Sequence, residues 1–368
     1  MKILKKIKSY IPTPALVIYG VFIFGLIIAA TAKKSVSFAN FWNENIASVF
    51  RAMLAYLTTL LPFSLAEYIL LCLPVTVTLL IVYAFKHTVY STRATVRYVV
   101  SMFSCAALVF SILLINFTPG YYTSPLDEKL SLDKQPVSVE ELLQTSQFLL
   151  ERVNEEAENV SYSYASFSLM PYSLSELDDK INDAYDKICK EYSFIQKLNT
   201  SVKPVMLSKP WTYTHIAGVY TFFTGEANIN TNFPDYTLPF TVAHEKAHQR
   251  GISREDEANF IAFLVCIASD DPYIRYSGYL SVYEYTSSAL YSADKEVYYT
   301  VLSDMDRRVR CELIAYNNFF EKYEDNTAAT VTGSINNAYL QGQGQTAGIR
   351  SYDLVTDLTV AYYKKNTK

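Results

Sequence analysis

Three long apolar runs limit the possible folds of this chain more than any other feature of its sequence. They occupy residues 15–32, 66–85 and 98–117, and each is long enough, as a helix, to cross the hydrocarbon core of a bilayer. A backbone inside lipid must satisfy its own hydrogen bonds, which a single segment achieves only as a helix. Half of all residues are hydrophobic, a high fraction for a wholly soluble protein. The sequence therefore predicts an α-helical membrane anchor with three spans over residues 1–117.

The stretch between the first two runs has a different pattern. At residues 38–61 the apolar side chains recur at helical spacing without forming a continuous apolar run. This pattern predicts an amphipathic helix that lies in the membrane interface and ends before Pro62. The same residues also fit a fourth, partly buried span, and the sequence leaves that alternative open.

Basic residues predict the orientation of the anchor. The first ten residues contain four lysines, and the short loop at 86–97 contains one lysine and two arginines. Positively charged segments next to spans tend to remain in the cytoplasm, so both segments are expected there. Lys33, Lys34 and Arg51 oppose this arrangement modestly. With three spans, everything after about Thr118 is then expected outside the cytoplasm.

The composition changes after the third run. Residues 118–137 are rich in turn formers and are predicted to be a linker. Residues 138–368 are predicted to form a mainly α, α+β domain with a small sheet. Two of its helices are expected to begin with capping boxes, Ser138 with Glu141 and Ser173 with Glu176. The net charge of −4 argues against a nucleic-acid partner, and the chain lacks the glycine-rich phosphate-binding pattern of nucleotide sites.

One region of this domain is predicted to be extended. Residues 211–230 are rich in β-branched and aromatic side chains, with Gly218 and Gly225 at expected bends. Thr237 and Pro239 then predict the start of a helix, as its N-cap and its first-turn proline. Near the C-terminus, the glycine-rich residues 333–352 are predicted to be a loop.

Residues 244–248 contain the pattern H-E-x-x-H. On a helix, His244 and His248 lie one turn apart on the same face, so both imidazoles can bind one metal ion. This spacing predicts a Zn²⁺ site in which Glu245 is the general base for a zinc-activated water. Gly251 follows three residues after His248, where a left-handed residue ends a helix and lets the chain turn back.

A catalytic zinc site has three protein ligands and one open position, so a third ligand is required. The two other histidines of the chain are remote in sequence, which favours a carboxylate from the next helix. Ser253 and Asp256 have the spacing of a capping box that would open this helix. Its first turn offers both Glu255 and Glu257, and the residues alone leave the choice between them open.

The order of these residues resembles that of the glutamate-ligand zincins, or gluzincins, in which a glutamate and a residue four positions later follow H-E-x-x-H. The resemblance implies that Glu255 binds zinc and that Asn259 supports a histidine ligand. The implied set is therefore His244, His248 and Glu255 as zinc ligands with Glu245 as catalytic base. Lys246 and Arg250 depart from the usual metalloprotease pattern, because both are charged where uncharged or apolar residues are usual.

The chain as a whole resembles the bacterial membrane family called domain of unknown function 3810. The likeness consists of the N-terminal spans and of three stretches, TGEANIN at 224–230, LPFTVAHEKAHQRGISREDEANF at 238–260 and GIRSYDLVTDL at 348–358. It implies a multi-pass protein of the bacterial cell membrane with a zincin-like domain outside the cytoplasm.

A zincin-like domain would place a strand along the upper rim of its substrate cleft. Residues 224–230 are expected to be this edge strand, where an extended peptide can pair by backbone hydrogen bonds. Glu226 and Asn228 are then candidates to meet a substrate terminus or another polar group. Candidate transition-state donors are His215, Arg350 and Tyr352.

Two functions remain open from the sequence. The first is a membrane-anchored zinc metallopeptidase that hydrolyses an amide bond with a zinc-activated water, on a peptide or peptidoglycan-type substrate. The second is a non-catalytic zinc-binding sensor or scaffold in the bilayer. The carboxylate of Glu245 favours the enzyme, because a purely structural zinc site requires the histidines but not this glutamate.

Overall fold

The computed structural model describes residues 10–164, 167–324 and 326–366. By its internal contacts the chain divides into two units: unit 1 comprises Met1–Thr123 with Thr221–Glu226, and unit 2 comprises Ser124–Tyr220 with Ala227–Lys368. The four N-terminal lysines that support the predicted orientation lie outside the described residues. The division into anchor, linker and metal-binding domain stays a prediction.

Unit 1 contains three helices that are long and apolar enough to cross a membrane, and they coincide with the three apolar runs. They are α1 (Thr13–Lys34), α4 (Leu65–His87) and α5 (Thr92–Asn116), and a 3₁₀ turn at Thr118–Tyr122 extends the third. Between the first two lie α2 (Val36–Phe41), a π-helical turn (Trp42–Ala47) and α3 (Ser48–Thr59). The segment at 38–61 is therefore helical, as expected, but it is not among the candidate spans.

Helices α1 and α5 pack closely at Gly25. A Cβ at this position would lie 3.2 Å from the Cβ of Leu114, so the absence of a side chain sets the distance between the two backbones. Farther along the same pair, the Tyr19 hydroxyl donates to the carbonyl of Val100 at 2.9 Å. Small residues and one long-range hydrogen bond therefore fix the pairing of the first and third apolar helices.

Arg51 is buried inside unit 1, with 1% of its surface exposed. Its guanidinium donates to the side-chain and backbone oxygens of Asn43, at 2.9 and 2.8 Å. It also donates to the backbone oxygen of Asn116 at 2.8 Å, at the C-terminal end of α5, where a cation is favoured by the helix dipole. Arg51 is thus an internal structural charge, although the positive-inside argument treats it as a loop charge.

Unit 2 is mostly helical with a small sheet. Its first elements are α6 (Leu126–Lys129), α7 (Val139–Ala157), α8 (Leu174–Glu191), β1 (Lys203–Pro204), α9 (Ser208–Trp211), a 3₁₀ turn (Thr212–Thr214), β2 (Gly218–Thr221) and β3 (Glu226–Ile229). A 3₁₀ turn (Asp235–Thr237) precedes α10 (Leu238–Gln249), α11 (Glu255–Ile267), α12 (Pro272–Ala293), α13 (Lys295–Ser303) and α14 (Arg307–Glu321). The last elements are α15 (Thr327–Gly342), a 3₁₀ helix (Gly348–Leu354) and α16 (Val355–Asn366).

Local capping chemistry sets the starts of α7 and α8. Both expected capping boxes are present: Ser138 and Ser173 each accept a hydrogen bond from the backbone amide three residues later, and the glutamate there accepts one in return. The apolar faces of these helices join one core with α10, α11 and α12. The segment predicted to be a linker also contributes to this core, through Leu126, Leu130 and Leu132.

The extended region is shorter than predicted, and its strand β3 does not take the predicted edge position in the sheet. Residues 208–214 are helical turns, because the hydroxyls of Thr212 and Thr214 bond back to the carbonyls of Ser208 and Trp211. The strand order is β1-β3-β2, and β1 pairs with β3 in parallel, with Lys203 opposite Asn228. The prediction that residues 224–230 form the edge strand is therefore wrong, since β3 is central and β2 lies at the edge.

The predicted glycine-rich loop is also wrong for its first half. Residues 333–342 complete helix α15, whose N-cap Asn326 accepts a hydrogen bond from the amide of Ala329. Gly333 and Gly342 lie within this helix, and the left-handed glycines, Gly344 and Gly348, come only after it. Glycine alone therefore did not break the helix, since each glycine costs only about 1 kcal/mol in propensity and the N-cap at Asn326 offsets part of it.

Candidate functional site

The H-E-x-x-H sequence lies on α10, which begins with Pro239 in its first turn as expected. The helix ends before Gly251, whose φ of +91° is the left-handed conformation that lets the chain turn. Helix α11 then starts at Glu255, with Arg254 as N-cap and no side-chain cap. The predicted capping box at Ser253 is therefore wrong, because the helix starts one residue later than that box requires.

The turn brings three potential ligand atoms together. His248 Nε2 lies 3.0 Å from His244 Nε2 and 3.2 Å from Glu255 Oε2. His244 Nε2 lies 3.3 Å from the same Glu255 oxygen. Three atoms about 2.0–2.1 Å from a zinc ion at tetrahedral corners would be about 3.3 Å apart, so the observed triangle fits zinc. Among the described residues, these three form the group that could hold a metal ion.

The outer contacts of the two histidines differ. His248 Nδ1 lies 2.7 Å from the carbonyl of Ile252, so this nitrogen is the donor, and in the neutral ring Nε2 has the lone pair that would bind a metal. His244 Nδ1 is buried and has no hydrogen-bond partner within the described ranges. The amide of Asn259 donates instead to the Tyr285 hydroxyl and the Tyr352 carbonyl, both at 3.3 Å. Asn259 therefore does not support a histidine in the way the gluzincin resemblance implies.

Glu245 is buried between the histidines and strand β2. A Cβ on Gly218 would lie 2.7 Å from Glu245 Cγ and 2.8 Å from its Oε1, so only glycine lets β2 pass this close. The backbone amide of Tyr220, also on β2, hydrogen-bonds to the Glu245 carboxylate. Burial raises the pKa of Glu245, and the two histidines partly offset the shift. A raised pKa suits a group that accepts and returns a proton near neutral pH.

Charge coupling within the triangle opposes the cost of burial. Burial acts to raise the pKa of Glu255, but the charges and hydrogen bonds of His248 and His244 hold it well below its usual range. Burial acts to lower the pKa of His248, but Glu255 raises it to about 9 in the absence of a metal ion. Without a metal ion, the Glu255 carboxylate therefore lies next to positive charge on His248. A divalent cation could take the place of that positive charge.

Glu257, the alternative third ligand, faces elsewhere. Its carboxylate accepts a hydrogen bond from the amide of Leu126 at 2.7 Å, at the start of α6. It also forms an ion pair with Arg254. Two positions along a helix correspond to a rotation of about 200°, which explains why neighbouring glutamates reach different surroundings.

The two charged residues that depart from the metalloprotease pattern are both buried and paired. Lys246 Nζ lies 2.6 Å from Asp178 Oδ1 on α8, and it donates to Asn182 Oδ1 and to the carbonyl of Thr200. The Arg250 guanidinium stacks 3.7 Å from the ring centre of Tyr185. These charges attach α10 to α8 on the side away from the ligand triangle, so they do not enter the candidate site.

A cavity of about 530 Å³ opens beside His244 and Glu245. Its wall includes two of the three candidate donors, His215 and Tyr352, whereas Arg350 is exposed and is not part of the lining. His215 Nε2 lies 2.7 Å from the carbonyl of Tyr323. The Tyr352 hydroxyl donates to Glu255 and accepts from Asn336, and burial raises its pKa well above the usual value. Tyr352 therefore keeps its proton and orients the third potential ligand.

The family model described as "Protein of unknown function (DUF3810)" matches residues 42–360 of the chain. This chain belongs to that family. Neither the curated proteins nor the solved structures contain a match to it. The matched range contains the triangle, the cavity and two of the three candidate spans, and it continues to α16.

In this DUF3810 chain, sequence reasoning missed one wall of the cavity. Four residues of α15 line it at helical spacing: Ala329, Thr332, Gly333 and Asn336. Their i, i+3, i+4, i+7 pattern is a sequence signal for one helix face, but the predicted loop at 333–352 hid it. The lining of the cavity also includes four aromatic residues, Phe233, Phe240, Tyr285 and Tyr316.

Proposed function

We propose that this DUF3810 protein is a membrane-anchored zinc metallopeptidase with a zincin-like domain, and that it hydrolyses an amide bond. The observation that carries the proposal is the triangle of His244, His248 and Glu255, with ligand atoms 3.0–3.3 Å apart, next to a buried glutamate and an open cavity. A structural zinc site is closed by four protein ligands, whereas three ligands beside a cavity are typical of a catalytic site.

Each side chain around the triangle has a separate role in the proposed hydrolysis. Zinc bound there supplies Lewis-acid activation of water and of the substrate carbonyl. Glu245 takes a proton from the attacking water and delivers it to the leaving nitrogen, so that one water and one amide yield an acid and an amine. Tyr352 holds Glu255 in place, and Ile252 fixes the tautomer of His248.

The proposal also assigns a location. The three candidate spans support membrane association, and the basic loop at 86–97 favours a cytoplasmic position for that loop. Three crossings then put residues 138–368 outside the cytoplasm of a bacterial cell. The substrate would meet the site in that compartment.

The test uses the full chain purified in detergent and reconstituted in nanodiscs. Metal analysis is expected to find about one zinc per chain, which a chelator removes together with hydrolysis of a peptide library. Glu245→Gln is expected to retain the zinc and to lose at least 99% of the hydrolysis, because the proton carrier is missing. Glu296→Gln, which removes an equal charge at an exposed position on α13, is expected to match the wild type.

Two results would contradict the proposal in different ways. A chain without zinc after growth in zinc-containing medium would remove the metal site. A chain that binds zinc but cleaves no member of the library, nor peptidoglycan fragments, would instead indicate the non-catalytic sensor or scaffold.

A further inference from the structure

We propose that the cavity beside Glu245 is a specificity pocket for one large apolar or aromatic side chain, and that Gly333 sets its depth. The side chain would belong to an internal segment of an extended peptide. This inference rests on the proposed peptidase function and adds the class of substrate.

Strand β2 provides an edge strand with which such a segment could pair. It lies at the edge of the sheet, and its Gly218 touches Glu245, so a peptide paired with β2 would pass directly over the candidate catalytic group. Alternate side chains of a strand point to opposite faces, so one residue of a bound peptide would point toward α10 and the cavity.

The fixed wall of the cavity is aromatic. Phe233 and Phe240 are buried, and Tyr285 and Tyr316 complete the wall. Tyr316 packs with its ring centre 4.7 Å from that of Phe320, which holds the wall in place. Aromatic surfaces bind apolar and aromatic side chains by burial of apolar area and by ring contacts. At about 530 Å³ the cavity is within the usual range of ligand sites.

Helix α15 contributes mostly small residues to the lining of the cavity. Ala329, Thr332, Gly333 and Asn336 form one face of α15 toward the cavity. A Cβ built on Gly333 meets no atom within 4 Å, so the space in front of this glycine is open. Because Gly333 lines the cavity and a Cβ there meets no described atom, this is the position at which a larger residue is proposed to reduce the space for a bound side chain.

The surroundings of Glu226 favour an internal segment of the substrate over its amino terminus. Glu226 was a candidate to meet a charged terminus, but its carboxylate accepts hydrogen bonds from the amides of Leu65 and Ala66, at 2.8 and 2.9 Å. It therefore caps α4 within unit 1. Asn228, the other candidate, donates its amide to the carbonyl of Val219 within the sheet.

The test compares Gly333→Leu with Gly342→Leu in the full chain. Both glycines lie in α15, and a Cβ at either meets nothing within 4 Å, but only Gly333 lines the cavity. The substrates are peptides blocked at both ends that differ at one position, carrying Phe, Leu, Ala, Glu or Lys. The wild type and Gly342→Leu are expected to cleave the Phe and Leu peptides about 10- to 100-fold better than the Ala peptide. Gly333→Leu is expected to lose this preference while keeping its zinc and its melting temperature.

A second measurement separates this inference from the proposed function. Binding of the same peptides is measured by calorimetry to Glu245→Gln, alone and combined with Gly333→Leu. If the wild type cleaves no peptide, the proposed peptidase function is wrong. Weaker binding of the Phe peptide to the double variant than to Glu245→Gln alone would still support the pocket. The proposed pocket is contradicted if Gly333→Leu leaves both the substrate preference and the binding unchanged. It is also contradicted if the Glu or Lys peptides are preferred. Cleavage of peptidoglycan fragments without cleavage of the blocked peptides would contradict it as well.

Discussion

Glu255 and Glu257 are two residues apart in the first turn of α11, yet the structure gives them different partners. Glu255 Oε2 lies 3.2 and 3.3 Å from the two histidine Nε2 atoms, whereas Glu257 binds the amide of Leu126 and Arg254. We therefore expect Glu255→Gln to lower zinc affinity by about 100-fold or more, since an amide is a weaker ligand than a carboxylate.

Glu257→Gln is the matched variant for this prediction. It is expected to bind zinc as tightly as the wild type, but to lose about 1–3 kcal/mol of stability because the ion pair with Arg254 is replaced by a neutral contact. Zinc titration with a competing chelator measures the first effect, and thermal unfolding measures the second. If Glu257→Gln loses zinc and Glu255→Gln does not, the third ligand is Glu257 and the assignment of Glu255 is wrong.

Gly218 permits the closest approach between strand β2 and Glu245. Because a methyl group there would lie 2.7 Å from Glu245 Cγ, Gly218→Ala must displace either the strand or the glutamate. We expect hydrolysis to fall at least tenfold while zinc remains bound, since the triangle does not touch this position. The comparison is Gly342→Ala, whose Cβ enters open space; equal rates for the two variants would contradict the proposed contact.

At the scale of elements, a buried ion pair joins α10, the helix that carries His244 and His248, to α8. Lys246 is completely buried, and its Nζ lies 2.6 Å from Asp178 Oδ1. Removal of one partner leaves the other charge buried, so Lys246→Met is expected to cost about 3–5 kcal/mol. In thermal unfolding this corresponds to a melting temperature lower by roughly 10 °C.

The double variant Lys246→Met with Asp178→Leu checks this explanation. Replacing both charges with apolar groups removes the unpaired charge, so most of the lost stability is expected to return. Zinc content is measured in parallel, because the pair lies away from the ligand triangle. If the double variant is less stable than either single variant, the pair contributes more than the cost of burying it.

Elements governed by neighbouring residues could be predicted from the sequence. The capping boxes at Ser138 and Ser173, the turn at Gly251 and the three apolar helices each depend on residues within one or two turns. The same is true of the two histidines, whose spacing on α10 places them on one face. These features follow from helix geometry, capping and composition alone.

Elements governed by distant residues could not. The central position of β3 depends on β1, only two residues long, which pairs with it from more than twenty positions away. The surroundings of Glu257 depend on Leu126, whose amide binds its carboxylate from another helix, although the gluzincin resemblance already favoured Glu255 as the third ligand. The cavity wall on α15 depends on a helix that continues through Gly333, where glycine-rich sequence predicts a loop. Such pairings are set by tertiary contacts, which outweigh local propensity.

At the scale of the whole molecule, the charge distribution around the spans favours one orientation. The basic N-terminal residues and the loop at 86–97 lie at ends of spans that three crossings place on the same side. Of the three charges that opposed this orientation, Arg51 is buried and bonded to Asn43 and Asn116. Only Lys33 and Lys34, at the end of α1, still oppose it among those three.

We therefore expect a reporter that is active only in the cytoplasm to be silent when fused after Lys368. The same reporter inserted in the basic loop, between Val89 and Tyr90, is expected to be active. A reporter active only outside the cytoplasm should give the opposite pattern at both positions, which controls for expression. Since only the third span lies between the loop and the C-terminus, equal signals at the two positions would mean that this helix does not cross the membrane. Reversed signals would mean either that residues 38–61 form a fourth span, which inverts everything after it, or that Lys33 and Lys34 dominate the orientation.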